Sequence, residues 1–181
     1  MVGSIVAAFS LILLLASPLA AQDAPFDFKG IALGSELSEL ETTGRFSCID
    51  PKNPVADRLC RLKGDRENLA GAPIKGLYLY YYSGKLEMIS ITLDHEHFND
   101  VIAALTKQYG ASTVETENLQ NLTGRTFENK IHTWRRQNAT LEAQRYGRTL
   151  DTTTVIYRTD FSLQEYARRS GTTVREKAKD P

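Results

Sequence analysis

Apolar positions in this chain follow two rhythms, and each predicts a different kind of element. In LYLYYYSGKLEMISITL, residues 77–93, the period is two. Leu77, Leu79 and Tyr81 point one way, Tyr78, Tyr80 and Tyr82 the other, and Ile89, Ile91 and Leu93 alternate beyond Ser83-Gly84. Alternating β-branched and aromatic residues on either side of a Ser-Gly pair predict a β-hairpin. In DHEHFNDVIAALTKQYG, residues 94–110, Phe98, Val101, Ile102, Leu105 and Tyr109 recur at helical spacing, and Gly110 stands just past the end. That spacing predicts an amphipathic helix with a C′ glycine.

Weaker versions of both patterns run through the rest. FDFKGIALG sets Phe26, Phe28, Ile31 and Leu33 around Gly30, which predicts a strand with a bulge or bend. SELSELETTG predicts a short helix with Ser35 as N-cap, Leu37 and Leu40 on one face and Gly44 at its end. KGDRENLAGAP reads as a surface loop. A strand is expected around Ser112–Glu117 and a loop at Leu119–Gly124. KIHTWRRQNATLEAQRYG alternates on both sides of Gln137-Asn138, predicting a second hairpin, and Thr152–Arg158 a last β-branched strand. A small helix around Leu163–Arg169 precedes a charged tail, 171–181, with too little apolar content to pack. The predicted fold class is therefore α+β: tandem helix-plus-antiparallel-sheet units with helices packed on one face of the sheet.

Residues 1–21, MVGSIVAAFSLILLLASPLAA, change the picture. Their apolar run from Ile5 to Ala16 is short for a membrane span, and small residues follow Pro18, as in a secretory signal cleaved after Ala20 or Ala21. No stable membrane insertion is expected after cleavage. The expected product is one domain, 22–170, with possible units at about 26–94 and 95–160, followed by the flexible tail. Acidic and basic residues balance at 22 each, which gives no field for nucleic acid, although bases outnumber acids between Arg125 and Arg169.

Both cysteines lie in CIDPKNPVADRLC, Cys48 to Cys60. The spacing lacks the C-x-x-C of a redox motif and the further ligands of a zinc site, so behind a secretion signal a structural disulfide is expected. It would tie strands around Phe46–Ile49 and Leu59–Leu62 and stabilise the fold by ~3 kcal/mol in the chain-entropy model.

The stretch FKGIALGSELSELETTGRFSCIDPKNPVADRLC resembles the β-lactamase-inhibitory protein family and the related small exported lipoproteins of outer-membrane assembly. In these an F-x-x-I-x-x-G strand leads into a short helix, and in the inhibitor family a C-x11-C disulfide follows. Phe28, Ile31, Gly34, Cys48 and Cys60 match in kind. No lipid-attachment cysteine follows the apolar run, and the second half has no matching strand-and-glycine entry or cysteine pair. The resemblance implies a fold that binds another protein with an open sheet face. It transfers no binding residue.

For chemistry, Asp94, His95 and His97, with Asp100 nearby, are the candidate zinc or copper ligands. Their place at a strand end and helix start favours capping and exposure instead. The serines lie in no nucleophile elbow, and His95, His97 and His132 are the only histidines, so no catalytic residue and no cofactor is assigned. The binding candidates are Tyr78, Tyr80 and Tyr82, joined by Trp134, Arg136 and Arg145, residue types enriched at interface hot spots. The competing reading puts the tyrosine row in the core. The expected function is that of an exported, non-catalytic protein-binding module, periplasmic or secreted and monomeric. Its protein partner would be a secreted or periplasmic enzyme that it inhibits or confers immunity against. Alternatives are a metal-binding or hydrolytic protein using His95 and His97, and an envelope-assembly accessory.

Overall fold

The computed structural model describes residues 25–51, 55–64 and 67–170. The expected signal segment and the expected tail at 171–181 lie outside the described residues. A two-stranded ribbon, β1 (Asp27–Phe28) and β2 (Ile31–Ala32), opens the described chain and leads into a helix of five residues, α1 (Leu37–Glu41). Strands β3 (Phe46–Ile49) and β4 (Arg58–Leu62) follow, then a small ribbon of β5 (Asn68–Leu69) and β6 (Ala72–Pro73). The hairpin of β7 (Gly76–Tyr82) and β8 (Lys85–Asp94) leads through a 3-10 turn, His95–His97, into α2 (Phe98–Tyr109). Then come β9 (Thr113–Gln120), β10 (Thr126–Arg136), β11 (Ala139–Gln144), β12 (Thr152–Thr159) and α3 (Asp160–Ser170).

Eight strands form one antiparallel sheet in the order β3-β4-β7-β8-β12-β11-β10-β9. The last strand inserts beside β8, pairing Val155 with Ile91 and Tyr157 with Ile89, so the strands of both halves of the chain share one sheet.

This overturns the predicted α+β class. Strands hold 48% of the described residues and helices 22%, and the fold is β-rich. Two physical reasons account for the difference. The polar stretch read as a short strand and a loop at Leu119–Gly124 is instead a long hairpin, β9 paired to β10 from Thr113↔Thr133 to Gln120↔Thr126. Paired backbone satisfies its own N–H and C=O groups even where side chains bury little. In addition, α1 is barely a turn and α3 buries only Ser162, so α2 alone supplies a full amphipathic helix to the sheet. Ser35 is not the N-cap of α1: Glu36 holds that position in extended conformation, and the Ser35 carbonyl accepts the Leu86 N–H.

Paired residues share a sheet face, and the register sorts the side chains cleanly. On one face Cys60, Leu79, Ile89, Tyr157, Leu141 and Trp134 line up across six strands, and Leu77, Ile91, Val155 and Ala143 form the next row. All of these are buried, in one core with Val101 and Leu105 of α2 and with Phe26, Phe28, Leu33 and Leu40 of the N-terminal segment. The Ser83-Gly84 turn has positive φ at both positions, 50° and 80°, as a tight hairpin turn requires. Cys48 pairs directly with Cys60, and the two are disulfide-bonded with a Cα–Cα distance of 4.0 Å. That bond is consistent with an oxidising compartment.

Candidate functional site

Among the described residues, the opposite face of the sheet carries no such layer beyond α3 over Tyr82. Its first row runs Ile49, Leu59, Tyr80, Met88, Arg158, Thr140 and Arg135 across seven strands, and its second runs Ser47, Arg61, Tyr78, Ser90, Ile156, Glu142 and Thr133. Tyr78, Tyr80, Met88, Ile156 and Leu59 are all partly exposed, and Ile49 is 58% exposed. The result is an apolar lane on the β3 side of the sheet, Ile49–Leu59–Tyr80–Met88, with Tyr78 and Ile156 beside it. A shallow depression of about 430 Å³ lies over Ile49, Leu59, Arg61 and Tyr78.

Beyond the lane the face turns polar and ordered. Arg158 pairs with Glu142 at 2.9 Å, Gln144 Nε2 donates to Glu142 Oε1, and Arg135 donates to Thr140 Oγ1 and to both carboxylate oxygens of Asp160. This network fixes long side chains that would otherwise lose entropy on contact with a partner. Burial pushes the Tyr80 phenol up, against the lowering effect of Arg148 in the β11–β12 loop.

The structure separates the residues that sequence grouped together. Tyr78 and Tyr80 stand side by side on the open face. Tyr82 shares that face but is covered by α3: Phe161 meets its ring edge-on at 6.3 Å, Arg169 lies over it at 5.0 Å, and its hydroxyl donates to the Val55 carbonyl. Trp134 is on the other face, 3% exposed, its Nε1 donating to the Gly110 carbonyl at the end of α2. Arg136 also lies on that side, over the rings of Phe26 and Tyr109. Arg145 sits at the sheet's end over Tyr146. The reason is parity: Trp134 pairs with Leu141 and Arg136 with Ala139, both core-facing, and strand alternation permits no other side. Ile49, Leu59, Met88, Ile156 and Arg158 were missed because only the strand order makes them neighbours.

The histidine cluster disperses. Asp94 pairs with Lys75, His95 tilts against Tyr146 at 5.9 Å, and His97 lies 3.8 Å from its neighbour Glu96. Among the described residues no group of three or more His, Cys, Asp or Glu is placed to hold a metal ion. His132 has more company: its Nδ1 shares a 2.8 Å hydrogen bond with Ser112 Oγ, and its ring stacks on Trp134 and meets the edge of Phe98. Burial, with Lys130 adding to it, holds this imidazole below its ordinary pKa. Its aromatic neighbours make His132 a packing element beside the start of α2. No family model, curated protein or solved structure matches this chain.

Proposed function

We propose that this chain is an exported, non-catalytic protein-binding module that engages its partner with the open face of the sheet, as a periplasmic or secreted inhibitor or immunity protein for an enzyme. The observation that supports the reading most is the asymmetry of the sheet. One face is sealed by α2 and the N-terminal segment, while the other presents Ile49, Leu59, Tyr80, Met88, Tyr78 and Ile156 in adjoining rows flanked by ordered Arg158 and Arg135. An apolar centre with tyrosines and a charged, hydrogen-bonded flank is the anatomy of an interface whose core excludes water. The mechanism is steric: a broad, preorganised surface covers the partner's cleft, with little ordering left to do on contact. The disulfide fits the oxidising compartment that this location implies.

The test compares three versions of the protein as bait in a periplasmic extract: wild type, the double change Tyr78→Ala and Tyr80→Ala, and Ala103→Arg on the outer surface of α2. Truncation of a central tyrosine costs about 2 kcal/mol or more at an interface hot spot, roughly thirtyfold in affinity. The partner is expected with wild type and Ala103→Arg and lost with the tyrosine variant, all three melting alike. A partner held equally by the tyrosine variant would place the interface elsewhere.

A further inference from the structure

The two edges of the eight-stranded sheet differ in what they carry. Along β9 the side chains of Glu115 and Glu117 stand exposed, and charge on an edge resists the addition of another strand. The residues of β3, Phe46, Ser47, Cys48 and Ile49, include no charged side chain and no proline, and their pairing with β4 runs without a bulge. Among the described residues no strand lies on the outer side of β3, where its backbone N–H and C=O groups meet no ladder. The disulfide joins β3 to β4 at a directly paired position, so this edge is held in place before anything meets it. An uncharged edge that is already ordered accepts an extended chain at little cost in entropy.

The register states what such a chain would bring with it. A residue added opposite Ser47 joins the row of Ser47, Arg61 and Tyr78 on the open face, and one added opposite Ile49 joins the lane of Ile49, Leu59, Tyr80 and Met88. Ser47 and Ile49 are two apart on β3, so the residues facing them are two apart as well. Opposite Ile49, 58% exposed, an apolar side chain removes water from both partners. Opposite Ser47 the demand is for negative charge. Arg61 and Lys63 line the depression of about 430 Å³, and among the described residues no carboxylate pairs with either. The Lys63 ammonium donates to the Gly44 carbonyl at 3.1 Å, and the Arg61 guanidinium makes no hydrogen bond among the described residues. Of the described acids on either side in sequence, Asp57 is paired with Arg169, and Glu67 with Lys29 and Arg45. Ser47 is small and strands lie about 4.8 Å apart, so Arg61 can reach over it, across about 10 Å, to a carboxylate on an added strand.

We propose that the partner of the open face docks through an extended acidic segment, which adds to β3 as a further strand of the sheet. One carboxylate side chain of that segment lies opposite Ser47 and is held by Arg61 and Lys63. An apolar side chain two residues away lies opposite Ile49 and lengthens the lane. The inference rests on the reading of the open face as a partner surface and adds the chemistry of what that surface meets. A second copy of this chain is a poorer occupant, because β3 has no carboxylate to offer these cations. A bilayer surface is poorer too, since it has no backbone to pair with the edge.

The experiment titrates the isotope-labelled mature chain, disulfide intact, with short capped peptides and follows its backbone amides by NMR. The probes are Ser-Thr-Val-Thr-Glu-Thr-Ser and its counterparts with Gln or Lys in place of Glu. The Glu peptide is expected to bind with a Kd of about 1 mM or tighter and to shift the amides of Phe46–Ile49, with the Gln peptide about tenfold weaker and the Lys peptide weaker still. Arg61→Glu combined with Lys63→Glu, both exposed positions, is expected to reverse the order so that the Lys peptide binds best. If that variant does not fold, the peptide series decides alone. No shift in β3 with the Glu peptide at ~10 mM, well above that Kd, would overturn the proposal. So would equal binding of the three peptides, or an unchanged order in the folded variant. Binding of phosphatidylglycerol vesicles in place of the peptide would assign the cations to a lipid surface, and a dimer with β3 protected from exchange would assign the edge to a second copy; either result overturns it. The tyrosine variants test the open face itself. A partner captured through Tyr78 and Tyr80, with no peptide binding at β3, would leave that reading intact and remove this one.

Discussion

His132 is the residue whose environment has the clearest consequence in solution. Its imidazole is held neutral among Trp134, Phe98 and Ser112, below the ordinary value of 6.5. In the unfolded chain it takes a proton near 6.5, so between that pH and its lower folded pKa the unfolded state binds more protons. Stability is therefore expected to fall as pH drops through this window and to level off below it. Trp134 is the only tryptophan and stacks on the ring at 6.1 Å, so its fluorescence reports the same protonation. His132→Gln should flatten both curves between about pH 7 and pH 5; an unchanged slope in that variant would assign the effect elsewhere. Two further positions test local packing. Among the described residues Thr154 Oγ1 is buried without a hydrogen-bond partner, so Thr154→Val is expected to be neutral or stabilising by about 1 kcal/mol in urea unfolding. A Cβ on Gly147 would come within 2.5 Å of the Thr154 Cβ and 3.2 Å of its backbone nitrogen, so Gly147→Ala should cost about 1–3 kcal/mol.

Among the elements, the β3–β4 pair depends most on a single bond. β3 is an edge strand of four residues, held by β4 on one side only and pinned by Cys48–Cys60. Replacing both cysteines by alanine is expected to cost about 2–4 kcal/mol. The loss should show first as faster amide exchange in Phe46–Ile49, with β11 and β12 unchanged. Uniform acceleration across the sheet would mean that the bond supports the whole fold and not the edge. The β9 edge is protected differently, by charge: Glu115 and Glu117 stand exposed along it, and charged edges resist strand addition. The residues of β9 and the far half of β10 bury little, so this hairpin was hard to see in a hydrophobic pattern. Its turn overlaps the loop expected at Leu119–Gly124, and there Asn121 Oδ1 accepts N–H bonds from Thr123 and Arg125.

For the whole molecule, the pairing of β12 with β8 is decisive. It brings together Ile91 and Val155, distant in the chain and joined by strand contact with no connecting turn. Through that pairing Ile91 stands between Leu77 and Val155 in one core. Ile91→Ala is therefore expected to lower the stability of the entire chain by about 2–5 kcal/mol. Urea unfolding followed by Trp134 fluorescence and by far-ultraviolet circular dichroism should give coincident single transitions. Two separated transitions would mean that the halves of the sheet fold independently.

The sequence by itself determined the local elements and the bond between the cysteines. The tight turn at Ser83-Gly84, the helix ending before Gly110, the turn at Gln137-Asn138 and the pairing of Cys48 with Cys60 all follow from periodicity, turn chemistry and the count of cysteines. The alternation also divided Tyr78 and Tyr80 from Leu77 and Leu79 correctly, because a strand's period of two needs no knowledge of its neighbours. Only the tertiary structure decided which strands meet. Strand order places Trp134 under α2, lays α3 over Tyr82 and aligns Ile49, Leu59, Tyr80 and Met88 into one lane. It also turned an expected α+β fold into a single β-rich sheet. Such pairings join residues far apart in the chain, and their free energy comes from burial and backbone bonding across that distance, which no local window of sequence contains.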